Sequence, residues 1–278
     1  MHQLNEQAPA AKAVRDSDSS HWYEWLPQDR KWLALHHHDS GYDLRDAKRD
    51  ARAGRIILPS VTSYFKMLHK QQLLDWKVEQ ALLAAADNPF NSDVRFADET
   101  LDEWVDRIAS KASGASRGAA DLGTRIHKAI ENAAIDLEYD ADMDCYVQPV
   151  MAKRAELKLK SIGAEETVGS LEHGYAGTCD DRCEGMIIVD YKSRKTTPNK
   201  KAMTYETDAM QTAAYGVAEW GPAFFVQGGG AWVFVISTTE KGRVEPVHFT
   251  GDELREAFAG FVGLMALWRY VKNFDPRR

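Results

Sequence analysis

A chain of 278 residues that is 44% hydrophobic and 10% aromatic can bury a sizeable core, which excludes global disorder. Its formal net charge of −7 excludes a protein that coats nucleic acid by bulk positive charge, although not one with a locally basic groove. Cys145, Cys179 and Cys183 cannot all pair and are one short of the four thiolates of an iron–sulfur cluster, so no cluster and a reducing, cytoplasmic setting are expected.

Residues 1–56 read as a variable, partly flexible N-terminal segment. MHQLNEQAPAAKAVRDSDSS is a loose lead-in. The aromatic cluster HWYEW at 21–25 either docks on the body of the protein or belongs to a small subdomain. Adjacent histidines cannot all face one ion in a regular element, so His36, His37 and His38 are expected as a solvated patch.

From Pro59 and Ser60 the period becomes helical, with Val61, Tyr64, Phe65 and Leu68 on one face. Leu73, Leu74, Trp76, Val78, Leu82 and Leu83 predict a second helix. LDEWVDRIASKASGAS predicts a short helix ended by Gly and Ser. AADLGTRIHKAIENAAIDLE predicts another, with Leu122, Ile126, Ala129, Ile130 and Ala133 on one face. DCYVQPVMAKRAELKLKSIG predicts a helix begun or interrupted near Pro149.

The period then changes to two. EETVGSLE, GYAGTCDDRC and GMIIVDYK predict three successive strands. TYETDAMQTAAYGVAEW is helical, GGAWVFVIST and GRVEPVHFT are strand-like, and GDELREAFAGFVGLMALWRYVKNF closes the chain as a long helix. This order predicts an α/β fold, a central mixed sheet flanked by helices with an added N-terminal helical region. The domain covers 57–278, divided into a helical lead-in (57–162) and a sheet core (163–278). No apolar stretch of about eighteen residues and no signal-like N-terminus is visible, so neither a membrane nor export is expected.

Asp190 and Lys192 stand two apart on one predicted strand, so both leave the same face, while Tyr191 turns the other way with Val189 and Ile187. Asp180 and Asp181 lie one hairpin back. Two carboxylates a few ångströms apart repel by roughly 4 kcal/mol at an effective dielectric of 20, so a facing pair needs a cation or a proton. Oxygen ligands of this kind suit one or two Mg²⁺ or Mn²⁺ ions. A two-residue Glu184-Gly185 turn sets Asp181 on the face of Asp190, whereas a three-residue loop sets Asp180 directly opposite it. Register alone leaves both open. A lone Asp-x-Lys is also common as a plain surface ion pair.

GYAGTCDDRCEGMIIVDYKS resembles the core of the PD-(D/E)XK nucleases in their RecB-like exonuclease branch, where G-x-x-D precedes (D/E)-x-K by about ten residues. Here Gly177 leads to Asp180, then Asp190 and Lys192. GTRIHKAIE is similar to that branch's upstream helix, and MQTAAY to its downstream Q-x-x-x-Y helix. LPSVTSYF and the Leu74–Trp76 region resemble the start of phage-type exonucleases and of the mitochondrial genome maintenance exonuclease group. The likeness spans roughly residues 57–278. Ser193 stands where threonine is frequent, and Asp181 is an extra acid.

The resemblance implies a restriction-endonuclease-like core and a Mg²⁺- or Mn²⁺-dependent DNA exonuclease. Its substrate would be single-stranded or end-bearing DNA in replication, recombination or repair, and its setting that of a phage protein in a bacterial host. Asp180, Asp190 and Lys192 become catalytic candidates, with Asp180 favoured over Asp181. His127, Asp180, Asp190 and the Tyr191 backbone carbonyl become metal ligands. Gln211 and Tyr215 become DNA contacts, together with Ser193, Arg194 and Lys195 at the start of a basic run that includes Lys200 and Lys201. Lys153, Arg154, Lys158 and Lys160 add a second basic stretch. Glu165 and Glu131 are secondary candidates. A structure-selective endonuclease on the same core, or a nuclease-derived module that only binds nucleic acid, are the alternatives.

Overall fold

A computed structural model describes residues 21–35, 42–68, 71–88 and 100–278. Residues 1–20 and the histidine triplet at 36–38 lie outside the described residues.

The N-terminal segment contributes a sheet of its own. β1 (Trp22–Leu26) pairs antiparallel with β2 (Lys31–Leu35) and β3 (Ile56–Pro59), and α1 (Leu44–Arg52) starts in a capping box between Asp43 and Asp46. The aromatic cluster is therefore the central strand. Trp22 is buried among Tyr42, Trp268 and Phe274. The pairing of β1 with β3 ties this N-terminal segment to Ile57–Pro59 beyond it. Its indole Trp32 lies over Gly169, where an added Cβ would fall 2.5 Å from the ring.

The helical region departs from expectation in two places. The first helix is a single turn, α2 (Val61–Tyr64), capped by Ser60 and followed by a 3-10 turn at Phe65–Met67. After α3 (Gln71–Asp87) comes α4 (Leu101–Ala134), one continuous helix of 34 residues where a break near Gly114–Gly118 was expected. Glycine and serine lower helix propensity by about 1 kcal/mol each at most, and nothing there removes a backbone donor as proline would. α5 (Asp144–Glu156) carries Pro149 within it instead of starting there.

The main sheet has the order β4 (Ser161–Ser170), β5 (Tyr175–Cys183), β6 (Ile187–Arg194), β7 (Gly230–Ser237) and β8 (Val244–Phe249). Only β6 and β7 are parallel, and α6 (Glu206–Trp220) with the short α7 (Ala223–Val226) makes the crossover between them. The fold is thus α/β with a mixed sheet flanked by helices. α6 and α8 (Gly251–Lys272) cover one face, through Ala213, Ala214, Phe261 and Met265. α4 and α5 cover the other, where Ile126, Ile130, Val147 and Val150 pack on Val189, Tyr191 and Phe234. Among the described residues, no helix is long and apolar enough to cross a membrane.

Candidate active site

The β5–β6 turn is the three-residue loop Glu184-Gly185-Met186, with positive φ at Gly185 (79°) and Met186 (59°). Cys183 pairs with Ile187 and Asp181 with Val189, so the same register sets Asp180 across from Asp190. The ladder stops at that point. β6 continues to Arg194 against β7, and β5 leaves it. The Tyr191 amide, freed from the ladder, donates instead to Asp180 Oδ2 at 2.8 Å.

β5 also rolls over here. Cys179 packs under α6, whereas Asp181 faces α5, although strict alternation would give residues two apart the same face. The neighbouring strand yields at the matching place. Glu165 lies between the pairs Ala164–Asp181 and Glu166–Cys179 and holds φ at 52°, a left-handed conformation that a glutamate adopts at a cost of about 1–2 kcal/mol. Glu165, Asp180 and Asp190 consequently line up across three adjacent strands.

On the α6 side, Lys192 Nζ donates to Asp190 Oδ1 at 2.8 Å and to Gln211 Oε1 at 3.2 Å. Asp190 is 1% exposed. Its Oδ2 lies 2.7 Å from the same ammonium but outside hydrogen-bonding direction, so that buried oxygen has no hydrogen-bond partner. On the α4 side, His127 hydrogen-bonds the Tyr191 backbone, and its Nδ1 stands 3.7 Å from Asp180 Oδ2. Glu131, one turn further along, hydrogen-bonds Glu165. A tight fit seats α4 on β6, since a Cβ on Gly123 would fall 2.8 Å from Ser193 Oγ.

The electrostatics follow from burial and crowding. Desolvation, opposed by Lys192 and reinforced by Asp180, pushes Asp190 up to about 6. Burial also raises Asp180, against the pull of Lys192 and the Tyr191 amide. Desolvation, Asp180 and Glu131 together push Glu165 up to about 8. Desolvation lowers His127, helped by Lys192, and the imidazole is neutral. Burial works to neutralise Lys192, but Asp190 and Asp180 outweigh it, and the ammonium stays charged with a raised pKa.

Several expected contacts are placed elsewhere. Asp181, the rival for the hairpin position, is 1% exposed on the α5 side, bound to Arg154 and to Ser161. The Tyr191 carbonyl lies beside His127 and stays within reach of the site, while its ring is core. Tyr215 does not reach solvent. Its ring fills the space above Gly177, where a Cβ would fall 2.8 Å from it, and its hydroxyl accepts from Gln211 Nε2 at 3.1 Å. Arg194 turns inward, making two 2.7 Å bonds to buried Asp208 and lying 4.2 Å over the Tyr205 ring. Arg154 is likewise buried, not part of a basic surface. Ser193 is half-buried, whereas Lys195, Lys200 and Lys201 are exposed. The role of Asp208 was missed, although it precedes Gln211 by three on the same helix.

Among the described residues, no three His, Cys, Asp or Glu side chains converge into a ready-made metal cluster. Mg²⁺ rarely asks for one, since it is usually held by one or two carboxylates and keeps several waters. The donor chemistry here fits such an ion: two facing carboxylates, one with a buried oxygen lacking a hydrogen bond, a neutral imidazole and a nearby main-chain carbonyl. No protein-family model matches the chain, and no curated protein matches it in sequence.

Proposed function

We propose that the chain is a metal-dependent deoxyribonuclease with a restriction-endonuclease-like core of the RecB-like PD-(D/E)XK kind. It acts as an exonuclease on single-stranded or end-bearing DNA in replication, recombination or repair. One observation carries the reading: Asp180 and Asp190 face each other where β5 and β6 part, with the Lys192 ammonium on Asp190 and one Asp190 oxygen buried without a hydrogen bond. A pair so crowded is costly to keep unless a cation relieves it. The single-strand and exonuclease parts rest on the motif resemblance.

Asp180 and Asp190, with His127 and the Tyr191 carbonyl, would hold Mg²⁺ or Mn²⁺. When bound, the ion supplies Lewis acidity at a phosphoryl oxygen and lowers the pKa of a coordinated water. The protein's own groups do the rest. Lys192 stays protonated, is held by Asp190 and Gln211, and offers a fixed positive charge to the oxygens of the phosphorane-like transition state. Tyr215 orients Gln211 from the core. Lys195, Lys200 and Lys201 attract the phosphate backbone just past the site, so binding weakens with salt.

The test is Mn²⁺-dependent degradation of labelled single-stranded DNA with free, 5′-blocked and 3′-blocked ends. Loss of cleavage in Asp190→Ala and Lys192→Ala, with folding retained, supports the mechanism. Unchanged cleavage by both variants sinks it. Cutting of a strand blocked at both ends would instead assign the same core to an endonuclease.

A further inference from the structure

We infer that Arg154 is a positioning residue that sets the geometry of the candidate metal ligands from the opposite face of the sheet. The inference rests on the nuclease reading of Asp180 and Asp190. Arg154 comes from α5 and is 5% exposed. Its Nη1 donates both to Asp181 Oδ2 and to the Tyr191 hydroxyl, the latter at 2.5 Å. Ser161 donates to the other Asp181 oxygen. One guanidinium therefore grips the residue after Asp180 and the residue after Asp190 at once.

This grip falls where the backbone ladder no longer acts. Asp181–Val189 is the last β5–β6 pair, and just beyond it the Tyr191 amide ties the strands through Asp180 Oδ2. Tyr191 is thus a junction. Its hydroxyl meets Arg154, its amide donates to Asp180, and its backbone receives the hydrogen bond of His127. Strands that have just parted are free to splay, and a shift of a few tenths of an ångström changes how two carboxylates share an ion. The clamp removes that freedom without touching the site. Partners that orient a metal ligand without binding the metal typically change affinity by about 10–100-fold.

The experiment measures Mn²⁺ binding by calorimetry, together with kcat and KM on single-stranded DNA, for wild type, Tyr191→Phe, Arg154→Lys and Asp190→Asn. Removal of Arg154 altogether risks the fold, so Tyr191→Phe, which deletes one hydroxyl, is the decisive variant. A comparable loss far from the site serves as control: Tyr64→Phe deletes a buried hydroxyl that donates 2.6 Å to the Gly174 carbonyl. The clamp predicts that Tyr191→Phe weakens Mn²⁺ about tenfold and lowers kcat with KM unchanged. Arg154→Lys behaves alike, because the shorter lysine ends its ammonium before the position from which Nη1 reaches both partners. Tyr64→Phe lowers only the melting temperature. Wild-type binding that is lost in Asp190→Asn but intact in Tyr191→Phe and Arg154→Lys overturns the clamp alone. Wild-type protein that takes up no Mn²⁺ overturns the clamp and the nuclease reading together.

Discussion

Two charged clusters stand back to back across the β5–β6 hairpin, built from residues adjacent in sequence. Asp181, Arg154, Ser161 and Tyr191 form the one facing α5, and no fully buried side-chain nitrogen or oxygen there lacks a hydrogen-bond partner. Asp180, Asp190, Lys192 and His127, with Glu165 beside them, form the other. It holds a buried oxygen without a hydrogen bond, carboxyls pushed upward by burial and a glutamate in a left-handed conformation. The same residue types one position apart thus yield a closed structural knot and an under-compensated site. Burial of charge does not by itself mark function. Two facing carboxylates that share one ammonium where two strands separate are what leaves room for a further cation.

Asp190→Ala should break this contrast most strongly. On the open side, it should cut Mn²⁺-dependent cleavage by about 10³-fold or more, because several kcal/mol of charge stabilisation leave with the ligand. The chelator-treated variant should lose less stability than Asp181→Ala, since the Lys192 ammonium left behind is 23% exposed and keeps Gln211. A melting point as far below wild type as that of Asp181→Ala would show that the site is as structural as the knot. On the closed side, Asp181→Ala should do the reverse. It strands the Arg154 guanidinium, at a cost of about 3–5 kcal/mol, visible as a lower denaturation midpoint. Unchanged stability there would remove the distinction between the clusters.

Much of the open side was legible. Period-two strands around a short turn placed Asp190 and Lys192 on one face, and the structure decides the register in favour of Asp180 through a three-residue loop that uses positive φ at Gly185 and Met186. The closed side was not legible, because Arg154 meets Asp181 across 27 residues of sequence, and a basic residue among other basic residues looks solvated. Arg194 misled for the same reason, its partner Asp208 lying on the next helix. β1 and β2 were missed as five-residue strands whose hairpin turn holds no glycine, its positive φ falling on Arg30. Even the rollover of β5 at Asp180 follows no local pattern, since it depends on how β4 bends beside it.

A pH titration sharpens the comparison further. Asp190 moves from 3.8 to about 6 and Glu165 from 4.5 to about 8, so between roughly pH 4 and 8 the folded protein holds protons that the unfolded chain has lost. Stability from these groups is therefore complete below pH 4 and lost as pH rises through 6 and 8, by on the order of 3 kcal/mol for Asp190. Melting in chelator should fall across that range. Saturating Mn²⁺ should flatten or reverse the slope, because the ion competes with the same protons. A metal-free melting temperature that rises from pH 5 to 8 would contradict the crowding described here.

The smallest effect isolates the bend. Glu165 combines a left-handed backbone with a carboxyl next to Asp180, and the two can be separated by substitution. Glu165→Gly removes the steric cost of φ at 52° along with the carboxyl, whereas Glu165→Gln keeps the strain and removes only the acid. If the strain is maintained to hold the acid beside Asp180, glycine should be the more stable of the two by about 1 kcal/mol, or 2–4 °C. Both variants should lose activity to a similar extent. A glutamine variant that melts with the glycine variant would place the cost in the carboxyl and not the backbone. A glycine variant with full activity would make the exposed Glu165 a bystander, and leave the site to the two aspartates and Lys192.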